Sequence, residues 1–277
     1  MAVTLYRKRI VLKQVELFVL DTQTEGPAIV CLHGRWGRGE TWADLMRRYG
    51  DRYRVIAPDQ RGHGLSGKPL ARYTAEEMAK DVVELLDALG IETCMLVGHS
   101  MGAQNAAHVA AMYPTRVSSL ALLDKTPAGP SVRIDTPPEQ LPAVDPLTAN
   151  WPLPFSDRAA ARDFMRRELD SELAYEYFMN SLIETPDGYR MMFSAQAMAA
   201  NIAYNIDWYA RLGEIACPTL LIRAQDGDNM PDDVWEKAKQ QLPDCMAREM
   251  PGPDHNVHLS DPERFYGFLD EFLKIER

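Results

Sequence analysis

A serine flanked by glycines is the residue of this chain best placed to do chemistry. Ser100 is the centre of the pentapeptide GHSMG, which has the form G-x-S-x-G over residues 98–102. A short apolar run at 94–97 precedes it, and an alanine-rich stretch at 103–113 follows it. A strand, a sharp turn and a helix in that order expose a serine hydroxyl, and small glycines permit the strained backbone of such a turn. The sequence therefore predicts that Ser100 is a nucleophile.

A serine hydroxyl also needs a base to take its proton and a third group to orient that base. Histidine suits the first role because its pKa lies near neutrality. Of the six histidines, His255 follows the last apolar run of the chain and opens a loop. His99 adjoins Ser100, but neighbours on a tight turn point apart. We interpret the other four as turn or packing residues: His33, His63, His108 and His258.

The elements that must position these groups alternate between strands and helices. Apolar runs typical of strands occupy 5–12, 15–20, 28–32, 53–57, 94–97, 117–123, 218–222 and 246–250. Helical spacing follows the capping box Thr74-x-x-Glu77, and further helices are indicated at 103–113, at 232–242 and from 261 onward. This alternation predicts one α/β fold with a mostly parallel, mainly eight-stranded sheet that helices cover on both faces.

The alternation stops after Asp124. Eight of the nineteen prolines lie between Thr126 and Pro154, and a stretch so rich in proline cannot continue a sheet. Helical segments are indicated around 157–179 and 189–208. We therefore predict a core formed by residues 1–125 and 213–277, with an inserted helical lid over 126–212. The insertion is rich in aromatic residues and methionine, which predicts a small core of its own, an apolar substrate pocket, or both.

Composition excludes several classes of function. The 277 residues carry a net charge of −10, so a nucleic-acid backbone would be repelled. No apolar run is long enough to span a bilayer, and the first residues lack the apolar segment of a secretory signal. The four cysteines show no C-x-x-C spacing and are expected to be free thiols in a reducing cytoplasm. We expect a cytoplasmic protein without metal or organic cofactor, whose partner is a small-molecule substrate; its oligomeric state stays open.

Four features resemble the α/β-hydrolase family, in particular its lid-bearing esterases, lactonases and carbon–carbon bond hydrolases. They are His33-Gly34 after the third strand, the run PDQRGHGLS at 58–66, the turn at Ser100, and GPDH at 252–255 after the last strand. The resemblance covers nearly the whole predicted core. It implies the α/β-hydrolase fold and a Ser-His-acid triad, but it does not name a substrate.

The resemblance places the catalytic histidine at His255 and the acid in the loop after the strand that follows the lid. The stretch RAQDGD at 223–228 fits the family pattern R-G-x-x-S-D, which favours Asp228 as the acid. It departs from that pattern at Ala224, where the family prefers glycine, and a shifted alignment would favour Asp226. A minority of the fold uses the end of the preceding strand instead, which is Asp124 here.

Acyl transfer also needs hydrogen-bond donors aimed at the developing oxyanion. The resemblance implies the backbone N–H of Met101 and one from the loop after His33-Gly34, where we choose Arg35 with Trp36 as the next candidate. We therefore predict a serine hydrolase that cleaves a small or medium, largely apolar ester or lactone through an acyl-enzyme. The same residues could serve a carbon–carbon bond hydrolase of a vinylogous diketone acid, with the Arg35 side chain on the acid. They could also serve an amidase or a perhydrolase, and a further alternative is a ligand-binding relative without turnover.

Overall fold

The computed structural model describes residues 3–274, and an eight-stranded sheet lies at its centre. In chain order the strands are β1 (Tyr6–Val11), β2 (Glu16–Asp21), β3 (Ala28–Leu32), β4 (Arg54–Pro58), β5 (Cys94–His99), β6 (Val117–Leu123), β7 (Leu182–Thr185), β8 (Gly188–Met191), β9 (Thr219–Ala224) and β10 (Cys245–Met250). The order across the sheet is β1-β2-β4-β3-β5-β6-β9-β10, while β7 and β8 pair with each other. Only β2 runs against the other strands of the large sheet. The predicted fold class is confirmed.

Helices cover both faces of the sheet. They are α1 (Ala43–Tyr49), α2 (Ala75–Ala88), α3 (Met101–Met112), α4 (Arg158–Glu168), α5 (Glu172–Asn180), α6 (Ala195–Tyr204), α7 (Tyr209–Leu212), α8 (Asp232–Gln241), α9 (Val257–Ser260) and α10 (Pro262–Phe272). One apolar cluster joins the sheet to α2, α3 and α8, and a second joins it to α1 and α10. The predicted capping box starts α2, since Thr74 and Glu77 exchange side-chain to backbone hydrogen bonds.

The segment 126–212 contains α4–α7 and the β7–β8 hairpin. Its apolar side chains form a third cluster, which also takes in Tyr73, Met78 and Met101 of the rest of the chain. The prediction of a helix from residue 189 is wrong, because Tyr189 lies in β8 and α6 begins only at Ala195. The tetrapeptide TPDG at 185–188 was the missed signal. It is typical of a tight turn, and Gly188 has a φ of +122° there.

Chemistry-bearing residues collect at one edge of the sheet. Strands β3, β5, β6 and β9 are parallel neighbours, so their carboxyl ends lie side by side. Ser100 and Asp124 come directly after β5 and β6, Gly34 lies two residues beyond the end of β3, and the loop after β10 carries His255. The topology therefore brings together groups that are separated by more than 200 residues in sequence.

Two observations concern the rest of the described chain. Within residues 3–274, no helix combines the length and the apolar character needed to cross a membrane. The four cysteines are free thiols, with Cys31 and Cys94 buried and the other two half-buried.

Candidate active site

Ser100 occupies a strained turn between β5 and α3. Its backbone has φ +52° and ψ −119°, a left-handed value of φ that is uncommon for a residue with a side chain. The amide of Ser100 donates to the carbonyl oxygen of Leu123 at 2.9 Å, which fixes the turn to the end of β6. A strained residue held by its surroundings is typical of a functional site.

Two glycines make this turn sterically feasible. A Cβ atom on Gly98 would lie 2.3 Å from the carbonyl oxygen of Gly102, and one on Gly102 would lie 2.1 Å from that of Leu32. The loop after β3 approaches equally closely, since a Cβ atom on Gly34 would lie 2.9 Å from Nδ1 of His99. The elbow is therefore packed directly against β3 and the loop that follows it.

His255 is oriented by a carboxylate. Its Nδ1 donates to Oδ2 of Asp124 at 2.6 Å, and the Asp124 side chain is fully buried. The other carboxylate oxygen, Oδ1, accepts from the amide of Ala224 at 2.9 Å. Because Nδ1 carries the proton in this bond, Nε2 is the ring nitrogen with a free lone pair when the imidazole is neutral.

The prediction of Asp228 as the acid is therefore corrected. Asp228 and its alternative Asp226 are both exposed, in a loop whose first turn is closed by a bond from Gly227 to Ala224. Asp124 follows β6, the strand beside β5, and so lies nearer to the elbow than the loop after β9 can. The signal for it was an aspartate placed directly after an apolar strand, together with the departure of Ala224 from the family pattern.

A second histidine supports the loop that carries His255. Nε2 of His99 donates to the carbonyl oxygen of His255 at 2.8 Å, and the two rings lie 4.7 Å apart. Burial and the neighbouring His255 and His258 lower the pKa of His99 well below its ordinary value. His99 is thus a neutral donor that fixes backbone, which agrees with the expectation that its side chain diverges from Ser100.

The remaining histidines serve packing and turns. His33 bonds through both ring nitrogens, to the Gly34 carbonyl and from the Gln60 amide, and burial lowers its pKa to about 4. His63 lies against it, with ring centroids 4.9 Å apart.

His108 is buried in α3 and bonds to the Gln104 carbonyl. His258 is stacked on Trp42 beside the site.

The proposed oxyanion donors lie beside the elbow. Met101 begins α3, and its amide is one of the first-turn donors that a helix leaves without an internal partner. Within residues 3–274, neither the Met101 amide nor the Arg35 amide donates to a protein acceptor. The Arg35 carbonyl accepts from Tyr177 at 3.2 Å and the Trp36 carbonyl accepts from Ser181 at 2.5 Å, so the insertion holds this loop in place.

Arg35, Ser100 and His255 line a cavity of about 150 Å³. Three aromatic side chains line the same cavity: Trp36, Tyr177 and Phe178. The rings of Trp36 and Phe178 are 5.8 Å apart. No group of three or more His, Cys, Asp or Glu side chains within the described residues could hold a metal ion. A hydroxyl and an imidazole beside one cavity are the groups that attack on a carbonyl carbon requires, and amide N–H groups at the elbow can bind its oxygen.

The sequence and the fold of this chain are similar to those of known proteins. The family model for the α/β hydrolase fold matches residues 27–262. A 2-(acetamidomethylene)succinate hydrolase of Mesorhizobium japonicum is 29% identical over 252 residues, which cover 90% of this chain and 88% of the relative. A 2-hydroxy-6-oxononadienedioate/2-hydroxy-6-oxononatrienedioate hydrolase of Paraburkholderia xenovorans is 30% identical, covering 94% and 91%. The crystal structure of an E-2-(acetamidomethylene)succinate hydrolase superimposes with a TM-score of 0.84 at 27% identity, covering 98% of this chain and all of that one.

Proposed function

The chain belongs to the α/β-hydrolase family, and from that premise we propose that it is a serine hydrolase working through Ser100, His255 and Asp124. The observation that carries the proposal is the bond from His255 to the buried Asp124, beside the cavity that also contains Ser100. A base held in one tautomer next to a strained serine is what nucleophilic acyl transfer requires.

In this mechanism, Nε2 of His255 takes the proton of the Ser100 hydroxyl as Oγ attacks the acyl carbon. The amides of Met101 and Arg35 bind the oxyanion, and the imidazolium returns its proton to the leaving alcohol. A water molecule then releases the acyl group by the same steps. Each amide donor is worth about 3 kcal/mol to the transition state.

The proposed substrate is a carboxylic ester or lactone with a small acyl group. The cavity of about 150 Å³ is smaller than the 300–1,000 Å³ of typical ligand pockets, and aromatic side chains line part of it. We further propose that the insertion at 126–212 serves as a lid, since Ala174, Tyr177 and Phe178 of α5 close this cavity.

The test is hydrolysis of p-nitrophenyl acetate and butyrate by the wild type and by Ser100→Ala. We expect the wild type to turn both over and the variant to lose at least 10³-fold in kcat/KM. A fluorophosphonate probe should add to the wild type only, and peptide mass spectrometry should place the adduct on Ser100. Equal rates for the two proteins would refute the proposal.

A second candidate is carbon–carbon bond hydrolysis of an acidic substrate. Both relatives named above act, by their names, on dicarboxylic acids. Two cations of this chain, Arg35 and Lys125, lie beside the proposed site. Incubation with a ring-cleavage dioic acid, followed by loss of its visible absorbance, would distinguish this reaction from ester hydrolysis.

A further inference from the structure

A second cavity adjoins the proposed active site. It also measures about 150 Å³, and Arg35 lines both cavities. Lys125 lines the second one and directly follows Asp124 in sequence. The two cavities therefore meet at Arg35.

The two cations of this cavity have no carboxylate partner. Within the described residues, neither Arg35 nor Lys125 forms an ion pair, although other cations of the chain do: Arg61 with Asp81 and Arg223 with Glu249. Arg35 instead lies over the ring of Trp36, 5.1 Å from its centroid.

The nearby carboxylates are engaged elsewhere. Asp124 accepts from His255 and Ala224, as described above. Asp145 accepts from Nε1 of Trp36 at 3.1 Å and from Thr148. Both acids interact with the cations electrostatically but form no ion pair with them. The two positive groups are therefore available to a bound anion.

The pKa directions agree with confinement of like charges. Burial, and then the positive charge of Arg35, lower the pKa of Lys125 to about 8, and burial lowers the pKa of Arg35. Holding two cations together in a half-buried cleft is unfavourable unless an anion joins them. Strongly perturbed groups in a cleft are typical of binding sites.

Three amide side chains also line this cavity: Gln104, Asn201 and Asn205. Asn205 donates to the carbonyl oxygen of Asn201 at 2.7 Å and accepts from the amide of Ala75 at 2.9 Å. Gln104 of α3 donates to Asn205 at 3.4 Å. These hydrogen-bonded amides, beside the two cations, suit the polar end of a ligand.

We propose that Arg35 and Lys125 form a carboxylate-binding subsite, so that the natural substrate carries a carboxylate beyond its scissile carbonyl. The inference rests on the proposed function, because it places one end of the same substrate. It narrows the proposed substrate from a carboxylic ester or lactone in general to the monoester, lactone or related derivative of a short dicarboxylic acid.

The test measures binding without turnover, in the Ser100→Ala protein. Isothermal titration calorimetry compares monomethyl succinate and monomethyl glutarate, which are anions, with their neutral dimethyl esters. We expect at least one acid to bind ten or more times as tightly as its neutral ester. Adding Lys125→Gln should remove that preference, and Lys125→Arg should keep most of it. Lys80→Gln removes one exposed positive charge elsewhere and should change nothing.

Three results would overturn the subsite: equal affinity for acid and neutral ester, undiminished binding of the acid in Lys125→Gln, or no binding of either acid at millimolar concentration. The proposed function is judged separately, by hydrolysis of the neutral p-nitrophenyl butyrate in the wild type and in Ser100→Ala. Either conclusion can therefore fail without the other.

Discussion

The carboxylate of Asp124 connects His255 to the sheet. One oxygen accepts from Nδ1 of His255 at 2.6 Å, and the other accepts from the amide of Ala224 at the end of β9. Asp124 itself has a φ of +48°, and its amide donates to Ile222 at 2.8 Å. Three hydrogen bonds therefore determine where this carboxylate lies, and through it the tautomer of the imidazole.

The first prediction separates the two candidate acids. Asp124→Asn keeps the shape but offers an amide to Nδ1, which favours the wrong tautomer of His255. We expect kcat/KM for p-nitrophenyl butyrate to fall by about 10³–10⁴-fold. Asp228→Asn changes an exposed carboxylate and should stay within twofold of the wild type. The opposite ranking of the two variants would restore Asp228 as the acid.

The sequence alone did not identify which of these aspartates contacts His255. The elbow, the strands β3, β5, β6 and β9, and the capping box at Thr74 are local patterns, so the sequence predicted them and the structure confirms them. The partner of His255 is set by which strand lies beside β5, and strand order is a property of the whole chain. Three aspartates therefore looked plausible in sequence, while only Asp124 contacts the ring.

The insertion was hard to predict for a different reason. Its hairpin has strands of four residues each, too short for alternation to distinguish them from a helix. The second cavity could not be foreseen at all, because Arg35 and Lys125 are 90 positions apart and the sequence gives no sign that both lack a carboxylate partner. Unpaired charges of this kind can be recognised only once the positions of all neighbouring side chains are known.

The second prediction concerns the close packing of the elbow. Gly98→Ala would place a methyl group 2.3 Å from the Gly102 carbonyl oxygen, so backbone must move. We expect a loss of about 2–4 kcal/mol in the free energy of unfolding, measured with urea. Gly213→Ala is the control, since its methyl group would meet no atom closer than 3.9 Å. A Gly98→Ala protein as stable as the control would contradict the packing described here.

The third prediction uses the buried ring of His258. Burial, and then the nearby His255, lower its pKa to about 3, and both ring nitrogens are buried without a partner within the described residues. The unfolded chain binds the proton near pH 6.5 and the native state does not, so stability falls as pH drops from about 6.5. At pH 5 this costs about 2 kcal/mol.

His258→Phe should remove that dependence, because a phenyl ring can stack on Trp42 and cannot bind a proton. Urea unfolding at pH 7.5 should give similar stability for both proteins. At pH 5 the variant should be more stable by about 2 kcal/mol relative to that baseline. Parallel pH profiles for the two proteins would show that His258 is not the titrating group.

The fourth prediction concerns the contribution of Lys125 to the free energy of unfolding. Its native pKa of about 8 lies below the ordinary value of about 10.4. Below pH 8 the native state must therefore keep a proton that burial and Arg35 disfavour, while Asp124 partly compensates. As pH rises from 8 to 10.4, the native lysine loses its charge first, so the unfavourable contribution disappears across that window.

Lys125→Met should accordingly stabilise the protein at pH 7 by about 1–3 kcal/mol, and the difference should close near pH 10.5. Urea unfolding at both pH values measures it, with Lys80→Met as the exposed control that should shift by less than about 0.5 kcal/mol. A lysine that supported the fold would behave in the opposite way, and its removal would destabilise the protein at pH 7. A gain in stability together with a loss of carboxylate binding is the combination expected where a fold tolerates strain to hold a ligand.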